Sequence, residues 1–376
     1  MNKVQEQLET PALLLDKLQL LNNIDNIANM ASTYGVDYRP HIKTHKSKDI
    51  ASLQINSGAI GLTAAKVGEA EMLVEAGFKD VLIAYPISHP LKIKRIQKLR
   101  EQARIVVAVD SFEQASRLNQ AMEAEDPLEV WIKVNSGLNR CGVEPREEVL
   151  ELAADIGNMS GLSLTGLLTH AGHAYGAGSI SEVKQIAKQE VTSITESAQL
   201  CEDNGIPIKH RSVGSTPTFQ FYENMEEITE IRPGNAVFFD MVQVGLGAAA
   251  KEQCALTVKA SVVTAKHNRI VIDAGSKTLA LDKGAHGNDS IQGHGYIMEH
   301  PNLVIGSLSE EHGIIPVAGD EGIQVGDVLT IIPNHACVVA NLFDNYLLHQ
   351  QDEVLDTWEV TARGRKKITE QRDAKH

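Results

Sequence analysis

Short apolar runs alternate with amphipathic segments along most of this chain. After an extended lead-in at Ala12–Asp16, a helical pattern begins at Lys17, continues to about Tyr34 and ends at Gly35. Apolar runs of strand length then recur at a steady spacing. The pattern predicts eight such strands, near Val36–Lys43, Ala59–Thr63, Val81–Ala84, Ile105–Val109, Glu129–Val134, Leu164–Thr169, Ile208–Val213 and Ile228–Ile231.

Helical patterns occupy the intervals between most of these runs, at Lys66–Ala76, Leu91–Gln102, Ser111–Ala124, Arg146–Asn158 and Ser181–Asn204. Eight strand–helix repeats favour a closed parallel (β/α)8 barrel over an open, doubly wound sheet. The open sheet would also be expected to carry a GxGxxG turn after its first strand, and the sequence has none there.

The alternation of strand and helix patterns ends near Gly245. From Cys254 onward the sequence predicts strands separated by glycine-rich breaks. Strands are predicted at Ala255–Lys266, Arg269–Ala274, Ile314–Ala318, Val328–Ile332 and Thr357–Ala362. We therefore expect a barrel over residues 10–245 and a smaller antiparallel β-domain over residues 246–376, the latter joined by residues 1–9.

Composition narrows the classes of partner. The 376 residues carry a net charge of −14 and only 4% aromatic side chains, which argues against nucleic acid and anionic membranes and favours a small-molecule partner. The N-terminus is polar, no apolar run reaches the length of a membrane span, and the four cysteines lie far apart. We expect a soluble, cytoplasmic protein.

The segment Asp37–Lys46 concentrates titratable side chains at the end of the first predicted strand. A lysine at a strand end, surrounded by other cations, has the lowered pKa that Schiff-base chemistry requires. Lys43 is the preferred candidate, because in an extended segment it lies on the same face as His41. His41 and His45 are the accompanying catalytic candidates. A solvated basic loop is the alternative that this segment alone leaves open.

The ends of later strands supply groups that suit a phosphorylated cofactor. Barrels often bind phosphate in the loops after strands seven and eight, and both loops here are rich in small residues. A lysine on strand one and a phosphate site on strands seven and eight together describe pyridoxal 5'-phosphate. The cofactor-binding candidates are Lys43, Arg140, His170, Tyr175, Ser215, Thr216, Gly234 and Asn235. For Arg140 a surface ion pair remains the alternative.

A second candidate constellation lies in the predicted β-domain. His335 and Cys337 are two positions apart, so on a strand they point to the same face. An imidazole and a thiolate suit Zn²⁺, and two protein ligands leave positions open, as a catalytic metal requires. A buried pair without metal is the alternative.

These segments together resemble the fold-type III pyridoxal enzymes, within them the D-threonine aldolase and D-serine dehydratase family. The resemblance covers nearly the whole chain. It implies that Lys43 carries the cofactor, that His335 and Cys337 bind a divalent metal, and that two chains form a homodimer with the active site at the interface. It also implies cofactor contacts at Tyr175, Thr216, Gly234 and Asn235. The segments that carry the resemblance are Thr10-Pro11-Ala12, Arg39–Lys46, Gly214–Thr218, Arg232–Asn235 and His335-Ala336-Cys337.

The expected activity is that of a lyase acting on β-hydroxy-D-amino acids. A metal beside the cofactor can hold the β-hydroxyl of the substrate. Two outcomes follow, dehydration to an oxo acid and ammonia, or cleavage to glycine and an aldehyde. The thiolate of Cys337 favours Zn²⁺ over Mn²⁺ or Mg²⁺. Aldolases of the family that prefer harder metals tend to carry a carboxylate at this position, so the resemblance inclines the prediction towards dehydration. An amino-acid racemase, a non-catalytic pyridoxal phosphate-binding protein and a metal-dependent hydrolase are the alternatives.

Overall fold

The first strand and helix of the chain follow each other without a loop. The computed structural model describes residues 8–284, 291–351 and 353–365, and its elements are numbered along the chain. Strand β1 (Ala12–Asp16) leads directly into helix α1 (Lys17–Tyr34), where the Asp16 carboxylate accepts the Gln19 N–H at 3.0 Å. Gly35 ends the helix in the left-handed conformation, φ 69°, which glycine adopts without steric cost.

Eight parallel strands form the predicted barrel, and the fold class is confirmed. Along the sheet the order is β2-β9-β8-β7-β6-β5-β4-β3. The chain after β2 closes the ring on β3, because the Thr63 N–H donates to Pro40 O at 2.8 Å and the Ile42 N–H donates to Thr63 O at 2.9 Å. The strands are β2 (Asp37–Tyr38), β3 (Leu62–Ala64), β4 (Asp80–Ile83), β5 (Arg104–Val109), β6 (Leu128–Lys133), β7 (Leu162–Leu168), β8 (His210–Val213) and β9 (Glu230–Ile231).

Helices cover the outside of the barrel. In strand β4, Val81 and Ile83 pack in the large core beneath these helices, whereas Leu82 belongs to a separate buried cluster with Trp131 and Leu168. Alternate residues of a strand face opposite sides, so this smaller cluster lies inside the barrel. The helices are α2 (Lys48–Asn56), α3 (Val67–Glu75), α4 (Pro90–Arg100), α5 (Phe112–Asn119), α6 (Glu147–Gly157) and α7 (Ile180–Asp203).

A second sheet of nine strands makes up the other domain. Strand β1 lies in its middle, antiparallel to β10 (Leu256–Lys266) and parallel to β16 (Asn345–Gln350), the other pairings being antiparallel. The lead-in Ala12–Asp16 therefore belongs to this sheet. The remaining strands are β11 (Arg269–Ile272), β12 (Tyr296–Ile297), β13 (Ser307–Leu308), β14 (Gly313–Pro316), β15 (Val328–Ile332) and β17 (Glu353–Glu359).

Two details of the sequence prediction for this domain are wrong. The last strand covers Glu353–Glu359 rather than Thr357–Ala362, and the chain turns at Thr361. His335 and Cys337 are not on a strand, because β15 ends at Ile332 and a short helix follows. The short helices of the chain are α8 (Met241–Gly245), α9 (Ser276–Leu279) and α10 (Ala336–Ala340). Within the described ranges, no helix has the length and hydropathy that a membrane-spanning segment needs.

Candidate active site

A cavity of about 430 Å³ opens at the carboxyl ends of the barrel strands. This is the end of a (β/α)8 barrel where active sites form, because the loops that follow the strands converge there. The cavity brings together all the predicted site residues except His45. Its predicted lining residues are His41, Lys43, Arg140, His170, Tyr175, Ser215, Thr216, Gly234, Asn235, His335 and Cys337.

Lys43 lies in a tight turn and not on an extended strand. Strand β2 ends at Tyr38, and the Lys46 N–H donates to Ile42 O at 2.8 Å. The prediction that His41 and Lys43 share the face of one strand is therefore wrong. The turn nevertheless brings both side chains to the cavity, and the Lys43 N–H donates to His41 Nδ1 at 3.3 Å.

The surroundings of Lys43 favour its neutral amine. Burial lowers the pKa of Lys43, and the nearby Arg140 and Arg232 guanidinium groups lower it further, although Cys337 and Glu69 act in the opposite direction. Burial likewise holds the pKa of His41 well below its usual value, with a further contribution from the Lys43 charge. A neutral amine is the form that attacks a carbonyl carbon, so the electrostatic part of the prediction agrees with the geometry.

His45 lies outside the cavity. Its side chain is fully buried, its Nδ1 accepts the Ser47 N–H at 3.1 Å, and its ring meets Phe238 edge-on. Burial also lowers the pKa of His45 to about 3, so the ring is neutral. These contacts make His45 a structural residue of the turn and do not support the catalytic role predicted for it.

The loops after β8 and β9 form a small-residue cradle beside Lys43. The Ser215 hydroxyl is buried and has no hydrogen-bond partner within the described chain, whereas Thr216 Oγ1 accepts the Ala236 N–H at 3.1 Å. At Gly234 an added Cβ would approach His41 O at 3.1 Å. An unused buried hydroxyl and a wall without side chains fit a phosphate group. The residues present therefore fit pyridoxal phosphate.

His170 and Tyr175 follow strand β7 and face the same cavity. His170 Nδ1 lies 2.9 Å from Gly214 O, so the ring is oriented by the loop after β8. Burial raises the pKa of Tyr175 well above its usual value and keeps its phenol protonated. Arg140, after β6, is exposed at the cavity rim. These three side chains and the cradle enclose a space with Lys43 at one end.

His335 and Cys337 reach the cavity from the second domain. Burial would lower the pKa of His335, but the Cys337 thiolate raises it to about 9. Burial by itself would raise the pKa of the Cys337 thiol. The His335 charge and hydrogen bonds from His335 and Thr44 lower it by more, so the net pKa is lowered. In the metal-free protein these shifts favour a Cys337 thiolate beside a protonated His335 ring, and a metal ion that binds the pair would displace the proton of the imidazolium.

The donor set of this pair fits a divalent metal ion with open coordination positions. A thiolate and an imidazole are the ligands that Zn²⁺ prefers. Across the described residues, no group of three or more His, Cys, Asp or Glu side chains is placed to hold a metal ion. A closed structural site is thus not formed there, whereas a catalytic site needs positions that remain free.

Other cavity residues were not anticipated from the sequence. Lys133 is buried at the end of β6 with its amine 3.3 Å from Ala84 O, and burial together with neighbouring cations lowers its pKa to about 8. Arg232 is buried beside the cradle and donates to Ser212 Oγ at 2.6 Å. Lys133 is the last residue of β6 and Arg232 directly follows β9, and this position at a strand end is the signal that could have revealed them.

Two family models match this chain, one over most of the barrel and one over most of the second domain. Residues 15–242 match the family model described as alanine racemase, N-terminal domain, and residues 255–349 match the putative serine dehydratase domain. D-threo-3-hydroxyaspartate dehydratase of Delftia sp. is 31% identical, over 94% of this chain and 97% of the relative. D-threonine aldolase of Arthrobacter sp. is 29% identical over 95% and 93%, and D-serine dehydratase of Dictyostelium discoideum is 27% identical over 93% and 96%.

Solved structures agree with this picture. The Delftia dehydratase superposes with a TM-score of 0.89 at 30% identity, covering 95% of this chain and 98% of that one. D-threonine aldolase from Filomicrobium marinum gives 0.87 at 30% identity, covering 95% and 96%. Alanine racemase from Bacillus anthracis, at 15% identity and a TM-score of 0.70 over 94% and 98%, shares the fold. The chain belongs to the family that joins an alanine racemase N-terminal domain to a serine dehydratase domain.

Proposed function

We propose that this protein is a pyridoxal phosphate- and divalent metal-dependent lyase for β-hydroxy-D-amino acids, of the dehydratase type. One observation carries the proposal: the Lys43 amine and the His335–Cys337 pair open on the same cavity. The two features lie almost 300 residues apart in the chain and come from different domains. Their convergence gives a cofactor-binding lysine and a metal-binding pair access to one substrate.

The seat for the cofactor is formed by the barrel. Lys43 would hold the aldehyde carbon, and the cradle of Ser215, Thr216, Gly234 and Asn235 would hold the phosphate. Bound there, pyridoxal phosphate supplies a ring that takes up the electron pair left when a bond to the substrate α-carbon breaks. His170, Tyr175 and Arg140 would contact the ring edge.

Lys43 is also the group best placed to move a proton. Burial lowers its pKa and so favours the neutral amine, and a neutral Nζ would accept the proton of the substrate α-carbon. His41 is held neutral by burial, so it adds no charge beside this amine. The neighbouring amine of Lys133 also lines the cavity and would be available for the carboxylate of the substrate.

His335 and Cys337 would hold a divalent cation, which supplies Lewis-acid assistance at the β-hydroxyl. Two solved structures support this assignment. They are variants titled D-threo-3-hydroxyaspartate dehydratase in which a histidine, or a cysteine two positions later, is replaced by alanine, and the cysteine variant is in a metal-free form. The thiolate of Cys337 is a soft ligand, so Zn²⁺ is the metal we propose.

The preference for dehydration over carbon–carbon cleavage rests on two supports. Cys337 provides a soft ligand where a carboxylate would suit harder metals. The second domain matches the putative serine dehydratase model, and a dehydratase stands among the relatives at 31% identity. An aldolase relative at 29% identity makes cleavage the competing outcome.

The test is product analysis with D-serine, D-threonine and D-threo-3-hydroxyaspartate, each with and without a chelator. The proposal expects an oxo acid and ammonia from at least one substrate, with loss of activity on chelation and recovery on adding Zn²⁺. Glycine and an aldehyde would indicate an aldolase, and inverted substrate that survives chelation would indicate a racemase. If the protein binds pyridoxal phosphate but turns over none of the substrates, it is a non-catalytic carrier. If it turns over a substrate without pyridoxal phosphate, a metal-dependent hydrolase is indicated.

A matched pair of variants separates the metal site from general effects of cysteine loss. Cys337→Ala should lose metal content and activity together, whereas Cys201→Ala, which removes a thiol from the buried face of α7, should retain both. Metal content is measured by elemental analysis of the purified protein. Full activity in metal-depleted Cys337→Ala would contradict the proposed role of the pair.

We also propose that the active form is a homodimer in the cytoplasm. All four cysteines are free thiols, which agrees with a reducing compartment. The cavity of one chain is partly open, and a second subunit at its mouth would exclude water from it. Light scattering on the purified protein tests the assembly state, and a monomer with full activity would refute the dimer.

A further inference from the structure

Glu190 is a wholly buried carboxylate that does not line the cavity. It lies in the middle of α7, on the face that packs against the barrel. Within the described residues it forms no ion pair with a lysine or arginine. Instead it accepts four hydrogen bonds from uncharged groups, namely Ala171 N at 3.2 Å, Gly214 N at 3.0 Å, Thr218 Oγ1 at 2.8 Å and the Tyr222 hydroxyl at 2.8 Å.

These four donors belong to the loops that build the cofactor seat. Ala171 follows His170 directly, in the loop after β7 that continues to Tyr175. Gly214 and Thr218 bracket Ser215 and Thr216, in the loop after β8. One side chain behind the barrel therefore anchors both the loop beside the cofactor ring and the loop proposed to hold the phosphate.

The arrangement around Gly214 leaves little room for the loop to shift. Glu190 holds its N–H on one side, and on the other an added Cβ would come within 2.6 Å of Arg232 N. Hydrogen bonds to a charged acceptor are about twice as strong as neutral ones. A buried carboxylate is tolerable only when it is well hydrogen-bonded, so the carboxylate and the loops stabilise each other.

We propose that Glu190 is a positioning residue that fixes the phosphate-binding loop, and through it sets the affinity for the phosphate of the cofactor. The proposal rests on the cofactor seat described above. Glu190 does not line the cavity and would act through Gly214 and Thr218. Its effect should therefore depend on whether the ligand carries a phosphate.

The experiment compares two ligands on the full-length, cofactor-free protein. Pyridoxal 5'-phosphate and pyridoxal both react with a lysine, but only the first uses the phosphate cradle. In Glu190→Gln, an amide oxygen still accepts the two backbone N–H groups, while the charge and the acceptor for the two hydroxyls are lost. We expect the affinity for pyridoxal phosphate to fall about tenfold and the affinity for pyridoxal to change less than about threefold.

Two further variants control the result. Glu129 lies on β6 outside the cavity, and its carboxylate binds the Arg104 and Thr165 side chains of the neighbouring strands. Glu129→Gln removes the charge of this carboxylate and should leave the affinity ratio of the two ligands unchanged. Tyr222→Phe removes one of the four donors and should lower the ratio in the same direction, by a smaller factor. Circular dichroism of each cofactor-free variant verifies that it is folded.

The outcomes separate this inference from the proposed function. If wild type binds pyridoxal phosphate tightly and Glu190→Gln leaves the ratio of the two affinities unchanged, the positioning role is refuted and the lyase proposal stands. Equal weakening of both ligands would also refute it, because it would show a general structural effect. If wild type binds no pyridoxal phosphate, both proposals fail.

Discussion

The hydroxyl of Tyr346 connects the second domain to the turn that carries Lys43, and its removal gives a measurable prediction. Tyr346 is fully buried on β16, and its hydroxyl donates to His45 O at 2.6 Å. The ring packs against Phe238 with centroids 5.7 Å apart. Tyr346→Phe keeps this packing and deletes only the donor.

The magnitude follows from what the deletion leaves behind. No other group of the described chain donates to His45 O, so the carbonyl is left buried without a partner. Such a group costs about 1–3 kcal/mol. We expect the free energy of unfolding to fall by that amount, and the affinity for pyridoxal phosphate to fall about two- to tenfold because the turn beside Lys43 is less well held.

The assay is denaturant unfolding monitored by circular dichroism, with cofactor titration by absorbance. Tyr296→Phe is the matched control, because among the described residues its hydroxyl accepts a hydrogen bond only from the exposed Lys251 amine, at 3.0 Å. The control should change stability by less than about 0.5 kcal/mol. A loss of similar size in both variants, or none in Tyr346→Phe, would refute the reasoning.

Three more predictions follow. Lys43→Ala should abolish the visible absorbance of bound pyridoxal phosphate together with turnover, and a retained visible band would exclude Lys43 as the attachment point. In cofactor-free protein, Lys133 has a pKa of about 8 when folded against about 10.4 when unfolded. Below about pH 8 the buried amine is charged, and burying this charge lowers the free energy of unfolding. The destabilisation decreases as the pH rises from about 8 and is gone above about 10.4, where the amine is neutral in both states. Lys133→Met should therefore be more stable than wild type at pH 7, by at most about 3 kcal/mol, with the gap closing between those pH values in denaturation experiments; a gap independent of pH would contradict the assignment. Glu230→Leu should cost about 3 kcal/mol in the same assay, because Glu230 pairs with the buried Arg39 at 2.9 Å, and a neutral effect would show that Asp80 alone satisfies that arginine.

The part of the site contributed by the barrel was predictable from the sequence, because the pattern that marks a strand and its end extends over only a few neighbouring residues. A run such as Ile105–Val109 is apolar throughout, as parallel strands buried on both faces are, and the next polar residue marks the strand end. Closure of a barrel brings all the strand ends to one rim. The positions of His170 and Ser215 at the cavity follow from that geometry without any knowledge of side-chain packing.

The errors have identifiable physical causes. Segments such as Lys43–Lys46 carry no apolar alternation, and their turn is held from outside by Tyr346 and by the Ala362 N–H, which donates to Lys46 O at 2.9 Å. The sequence predicts a strand at His335–Cys337 because this segment follows an apolar run of strand length. Asp240 is buried and lies almost a hundred residues earlier in the chain, and its carboxylate accepts the Ala336 N–H at 2.9 Å. This hydrogen bond supports the first turn of helix α10 instead of a strand.

The sequence by itself determined the order of strand–helix units, the change of pattern near Gly245 and the chemical types at the strand ends, because hydrophobic periodicity and turn chemistry act over a few residues. Only the tertiary structure decided that β1 pairs with β10 and β16, that the His45 ring is buried outside the cavity, that Glu190 accepts hydrogen bonds from the loops after β7 and β8, and that Lys133 lines the cavity. Those outcomes depend on burial and on hydrogen bonds between groups far apart in the chain. A pattern of neighbouring residues carries no record of such contacts.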